Sequence, residues 1–147
     1  MRKFLFLLLI PFFFTGCKKT DQSAVDQKII QQYLTDHHIT TAIAEPNGLY
    51  YIPTLAGTGA YPTISSTVTV NYKGYLTSGT LFDQSTRPVT FPLTSVIAGW
   101  QEGIPLMQTG GKATLIIPSA LGYGGQSQSG IPANSVLIFD VELVSFY

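Results

Sequence analysis

The sequence predicts an α+β fold: a curved antiparallel β-sheet wrapped around one short central α-helix, preceded by an N-terminal helix. Three observations predict it. Apolar and polar residues alternate in "STVTVNYKGYL" and "SVLIFDVELVSF", the period of strands with one buried face. Within the strand-rich region only "VIAGWQEGIPLMQ" has helical character, over about two turns, and Pro105 limits its extension. Gly, Pro and Ser clusters cut the remainder into short segments. A helix this short covers a flat sheet poorly, so the sheet must curl around it, and the gap left between them becomes an apolar pocket.

The elements follow in order. "MRKFLFLLLIPFFFTGC" has Arg2 and Lys3, then an apolar run from Phe4 to Phe14, then small residues before Cys17. That is the layout of a secretory signal peptide over residues 1–16, and the run falls short of the roughly 20 apolar residues a membrane span needs. Cys17 is the only cysteine, which excludes an intrachain disulfide. Its place after Thr15-Gly16 resembles a bacterial lipobox, with Phe14 where Leu is usual. That resemblance implies cleavage before Cys17, lipidation of Cys17, and a membrane-anchored lipoprotein of the cell envelope. Residues 17–46 then read as a polar tether, "KKTDQS", and a helix. Ser23 is its expected cap, and Val25, Ile29, Ile30, Tyr33 and Leu34 fall at helical spacing. "EPNG" turns the chain.

Residues 47–147 carry the strands. "LYYIPT" is β-branched and aromatic, with Pro53 marking an edge position. In "STVTVNYKGYL", Val68, Val70 and Tyr72 share one face, and Ser78-Gly79 turns the chain afterwards. "RPVTFPL" reads as a short irregular strand and "KATLIIP" as a regular one. "SALGYGGQSQSGIPAN" is a long loop of the kind that carries function. In the last strand Leu137, Phe139, Val141 and Leu143 face one way, Asp140 and Glu142 the other.

Composition narrows the function classes. Charged residues make up 11% of the 147, well below the roughly 25% of ordinary soluble domains. Loss of residues 1–16 would remove Arg2 and Lys3 from the eight basic residues and none of the eight acidic ones, leaving about −2. With no basic stripe, nucleic acid is not an expected partner. His37-His38 are two adjacent histidines without a spaced set of ligands and read as a solvated helix end, so no metal is expected. "GYGGQSQSG" lacks the Lys and following helix of a phosphate loop.

Taken together and in order, "VNYKGYLTSGTLFDQS", "FPL", "VIAGWQEGIPLMQTGGKATLIIPSALGYG" and "GIPANSVLIFDVELV" resemble the FKBP-type peptidyl-prolyl isomerases from about Gly48 to Tyr147. The resemblance implies the curved sheet around a short helix and a pocket of Tyr72, Phe82, Asp83, Val96, Ile97, Trp100, Tyr123, Ile131 and Phe139. Within it, Trp100 is the implied floor. The Ile97 N–H and the Tyr123 hydroxyl are the implied donors to substrate carbonyls. Asp83 is the implied acid facing the rotating carbonyl, bonded to Tyr72. The chain departs from the family pattern between Asp83 and Phe91, a stretch that is shorter here. Val89 stands where an aromatic wall is often found, Phe91 is assigned to the sheet, and Arg87 is the available partner for Asp83.

The implied activity is cis–trans rotation of X–Pro bonds in exported or envelope proteins, with proline-containing polypeptides as substrates, macrolides of the rapamycin type as further ligands, and no cofactor. No covalent bond changes, so no nucleophile is needed, in keeping with a matched region that contains neither Cys nor His. The sequence also admits a non-catalytic proline-peptide-binding chaperone or scaffold, and a lipoprotein that serves only envelope assembly.

Overall fold

The computed structural model describes residues 21–147. The expected signal peptide, Cys17 and the tether before Asp21 lie outside the described residues. Helix α1 spans Gln22–Asp36. Its N-cap is Asp21 rather than the expected Ser23: the Asp21 carboxylate accepts from the Ser23 N–H at 3.1 Å. A capping side chain serves amides two or three residues ahead of itself, and Ser23 is already one of those amides.

Among the described residues seven strands form one antiparallel sheet: β1 (Ile43–Ala44), β2 (Tyr50–Leu55), β3 (Thr67–Leu76), β4 (Leu81–Gln84), β5 (Val89–Pro92), β6 (Lys112–Ile117) and β7 (Leu137–Phe146). Their order is β1-β2-β6-β7-β3-β4, and β5 also pairs with β3. The outer edge of β3 is thus shared. Thr67 to Val70 pair with β5, and Lys73 to Tyr75 pair with β4. Pro53 occupies an open edge, because β1 reaches only Tyr50 and Tyr51 of β2. That is the position a residue without an N–H tolerates.

The expected alternation sorts the inner face. Val68, Val70, Leu115, Ile117, Leu137, Phe139, Val141 and Leu143 are buried there with Leu93, Trp100, Ile104 and Met107. Helix α2 is shorter than the expected helical stretch, covering Ala98–Gly103 and continuing as a 3-10 turn over Ile104–Leu106. Val96 and Ile97 precede it in extended conformation. Two glycines let this stub lie close to the sheet. A Cβ on Gly99 would stand 2.5 Å from Ile117 Cγ2, and one on Gly103 would stand 2.7 Å from Leu115 Cδ1.

The outer face is covered too, which the sequence reading left open. α1 lays Ile30 and Leu34 over Tyr50, Ile52, Ile116, Val136 and Ile138, forming a second core. The amphipathic stripe therefore has its partner within the same chain. Polar bonds fix the helix in place: Tyr50 Oη donates to Gln27 Oε1 (3.1 Å), Gln31 Nε2 donates to Tyr50 Oη (2.7 Å), and Gln27 Nε2 donates to the Gly48 carbonyl (3.3 Å).

Candidate active site

Between α2 and the concave face lies a cavity of about 670 Å³. Tyr72, Phe82, Asp83, Val96, Ile97, Trp100, Tyr123, Ile131 and Phe139 all line it, joined by Phe91, Ser95, Gln128 and Ser129. A second depression of about 600 Å³ on the outer face is walled by Lys73, Lys112, Asp140 and Glu142 among others. Two of its charges pair, with Lys112 Nζ 3.7 Å from Glu142 Oε1. It offers no apolar surface comparable to the aromatic cavity.

Trp100 is only 5% exposed and forms the floor. Three rings meet it edge-on: Tyr72 at 5.1 Å and 81°, Phe139 at 5.3 Å and 82°, and Phe91 at 6.0 Å and 80°. Edge-to-face contacts place the positive rim of one ring against the negative face of another, which stiffens the box beyond simple burial. The Trp100 Nε1–H is buried without an acceptor among the described residues.

Phe82 and Asp83 both line the cavity although adjacent strand residues ordinarily face opposite ways. The register explains it. Gly74 opposes Asp83 while Tyr75 opposes Leu81, so Phe82 is the extra residue of a β-bulge. Its ring packs edge-on against Phe139 at 5.4 Å. Both rings crowd over Gly74, where a Cβ would stand 2.7 Å from each.

Asp83 is exposed at the rim, not enclosed among the rings. Its Oδ2 accepts from the Tyr72 hydroxyl at 2.7 Å. Burial, then the hydrogen bond and the charge of Asp83, push the Tyr72 phenol up to about 12. At neutral pH the Tyr72 phenol therefore keeps its proton and donates a hydrogen bond to Asp83. The expected partner Arg87 is not used: it is exposed, and no ion pair joins it to Asp83 among the described residues. The short loop between β4 and β5 leaves Tyr72, already on the neighbouring strand, as the nearest donor.

Ile97 is the N-cap of α2, and its N–H has no acceptor among the described residues. Tyr123 is 36% exposed on the loop after β6, with its neighbours Gly122 and Gly124 both bonded to the Ser119 carbonyl. The aromatic wall assigned to Val89 is supplied instead by Phe91. Val89 does not line the cavity, whereas Phe91 lies in β5 and also packs on Trp100. A signal for this existed, since "VTF" puts Phe91 on the same face as Val89, and Phe91 pairs with inward-facing Val68. Gln128 and Ser129 had no such signal, because they sit in an irregular loop where no period applies. Among the described residues no group of three or more His, Cys, Asp or Glu side chains is gathered that would hold a metal.

Comparison with known proteins agrees with this geometry. Residues 59–144 match the family described as FKBP-type peptidyl-prolyl cis-trans isomerase. The chain is 44% identical over 132 residues to the FKBP-type peptidyl-prolyl cis-trans isomerase FkpA of Aeromonas hydrophila, an alignment covering 86% of this chain and 49% of that protein. It superimposes on the crystal structure of FkpA from Escherichia coli with TM-score 0.75 and 40% identity, covering 84% of this chain and 60% of that one. A peptidyl-prolyl cis-trans isomerase from Pseudomonas syringae pv. tomato gives TM-score 0.74 at 32% identity, covering 84% of this chain and 95% of that one. The chain spans about half the length of the curated relatives it matches.

Proposed function

The chain belongs to the FKBP-type peptidyl-prolyl cis-trans isomerases, and from that premise we propose that it accelerates rotation about X–Pro bonds by holding the twisted amide in the aromatic cavity. An amide resists rotation by about 18–20 kcal/mol because twisting breaks its conjugation. X–Pro bonds consequently interconvert over tens to hundreds of seconds. A twisted amide carries less charge on its carbonyl oxygen and a more amine-like nitrogen. It loses less than the planar form when it leaves water for an apolar aromatic box, where fixed groups replace solvent. The gain counts only so far as the box prefers the twisted form over the planar one.

The residues divide the work. Trp100, Phe91, Phe139, Phe82, Val96 and Ile131 enclose the proline ring. The Ile97 N–H and the Tyr123 hydroxyl donate to flanking carbonyls and hold one side of the bond while the other turns. Asp83, fixed by Tyr72, faces the rotating carbonyl as an oriented charge and transfers no proton. The observation that carries this reading is the open cavity floored by Trp100, with no side chain among the described residues filling it.

The isomerase unit in this reading is residues 47–147. Residues 1–16 act as a signal peptide, and lipidated Cys17 anchors the chain to a membrane of the cell envelope. The basic–apolar–small layout of that segment supports this placement. Its clients are proline-containing segments of exported or envelope proteins, and rapamycin-type macrolides fit the same cavity.

The test is isomerisation of a short Xaa-Pro peptide by the purified chain. Trp100→Ala should remove most of the activity and Tyr123→Phe part of it. A wild-type chain that binds the peptide, seen as a change in Trp100 emission, but does not speed isomerisation would establish the binding-chaperone alternative instead. Fatty-acid labelling that disappears in Cys17→Ser tests the anchor.

A further inference from the structure

Asp26 lies on α1, across the sheet from the cavity, yet it is 1% exposed. Burying a carboxyl is costly without partners, and an apolar residue there would pack with Ile30 and Leu34 without that cost. The carboxyl instead serves one residue of the next layer. Its Oδ2 accepts from the Ser119 N–H at 2.7 Å and from the Ser119 hydroxyl at 2.6 Å. Its Oδ1 accepts from Gln22 Nε2 at 2.7 Å. Ser119 opens the 3-10 turn Ser119–Leu121, whose first amides have no acceptor within the turn. The preceding Pro118 provides no side-chain cap. Asp26 provides it from a distant helix.

The Ser119 carbonyl, on the other side of the same residue, accepts from the Gly122 N–H at 3.0 Å and from the Gly124 N–H at 2.8 Å. Those are the two neighbours of Tyr123. One continuous set of hydrogen bonds therefore runs from α1 through Ser119 to both flanks of the pocket tyrosine. We propose that Asp26 is a positioning residue for the Tyr123 hydroxyl, so that α1 is a working part of the site and not only a spacer before it. This rests on the isomerase reading of the cavity.

The experiment compares the full chain with Asp26→Ala, Asp26→Asn, Ser119→Ala, Tyr123→Phe and the Asp26→Ala/Tyr123→Phe pair. Two readouts are used: kcat/KM on an Xaa-Pro peptide, and amide hydrogen exchange. Asp26→Ala should lower kcat/KM about fivefold to tenfold, with Asn restoring part of the loss because its carbonyl oxygen still accepts from Ser119. In the Tyr123→Phe background the same change should cost less than about twofold, since its effect runs through the hydroxyl already removed. Exchange at Gly122 and Gly124 should quicken about tenfold while β6 and β7 stay protected.

A cost of Asp26→Ala that persists in full without the Tyr123 hydroxyl overturns the proposal. So does unaltered exchange at Gly122 and Gly124. If Asp26→Ala fails to fold, Asp26→Asn and Ser119→Ala carry the same two comparisons, with β6 and β7 protection reporting the intact sheet. If the wild-type chain does not isomerise the peptide, the isomerase reading fails. The exchange data then still decide whether Asp26 holds the Tyr123 segment.

Discussion

Gly99→Ala is the smallest change that should move the floor of the cavity. An alanine Cβ at position 99 would lie 2.5 Å from Ile117 Cγ2, 2.7 Å from Cδ1 and 2.9 Å from Cγ1. Carbon atoms rest about 3.5–4.0 Å apart. Ile117 is fully buried in β6, and its branched side chain is met at three atoms, so it has no direction in which to yield. The helix must retreat from the sheet by about 1 Å. Overpacking of this kind costs about 1–3 kcal/mol, and replacing a helical glycine returns up to about 1 kcal/mol. The net expectation is a destabilisation of about 1–2 kcal/mol. Trp100 is the next residue and moves with the helix, so kcat/KM should fall by more than the stability loss accounts for, up to about 100-fold for a shift of this size. Urea unfolding followed by emission of Trp100, the only tryptophan, measures the first quantity, and peptide isomerisation measures the second. Gly103→Ala is a second probe of the same contact: its Cβ would lie 2.7 Å from Leu115 Cδ1 and 2.8 Å from Cδ2, and Leu115 is also fully buried, so a stability loss of the same order is expected. Wild-type stability together with wild-type kcat/KM in Gly99→Ala would refute the claim that close approach of α2 sets the floor.

Further outcomes follow from the same geometry. Asp83→Ala leaves the fold intact, since the carboxylate is exposed and holds only Tyr72, and should lower kcat/KM about tenfold; unchanged turnover would remove Asp83 from the mechanism. Phe91→Ala removes one wall from beside Trp100, so Trp100 emission should shift to the red and peptide affinity should fall; Val89→Ala, outside the cavity, should leave emission unaltered. Alkaline pH tests Tyr72, whose phenol is raised from 10.0 to about 12 by burial first and then by Asp83. Because the folded chain keeps this proton after the unfolded chain has released it, the stabilisation is whole below pH 10 and is lost as pH rises from 10.0 towards about 12. Tyr51 and Tyr75 are raised as well, so they add to the same loss. Urea midpoints measured from pH 7 upward should fall in that window, and Tyr72→Phe should flatten part of the decline.

Much of this was legible before any coordinates. Alternation in β3 and β7 identified the inner face residue by residue, because a half-buried strand can satisfy water and core only with a period of two. The bounded helix around Trp100 was legible from Pro105, although its true start, after the extended pair Val96-Ile97, was not. Phe91 shows the limit of reading type without register. Its identity as a strand residue was visible, but the neighbour its ring would find was not. Asp83 shows another limit. Its bond to Tyr72 was implied by the resemblance, but whether Arg87 would join it depended on how a shortened loop closes, which the intervening residues do not spell out.

By itself the order of residues determined helix α1, the long strands β3, β6 and β7, and the apolar face of the sheet, all of which follow from local period and side-chain chemistry. The aromatic set of the pocket was implied by the family resemblance, without Phe91. Only the tertiary structure decided that Phe82 is the extra residue of a bulge, that two glycines bring α2 onto Ile117 and Leu115, and that α1 covers the outer face and reaches Ser119 through Asp26. Those facts depend on which distant backbones come within a few ångströms of each other. That distance is set by packing the whole chain at once, and no short window of sequence contains it.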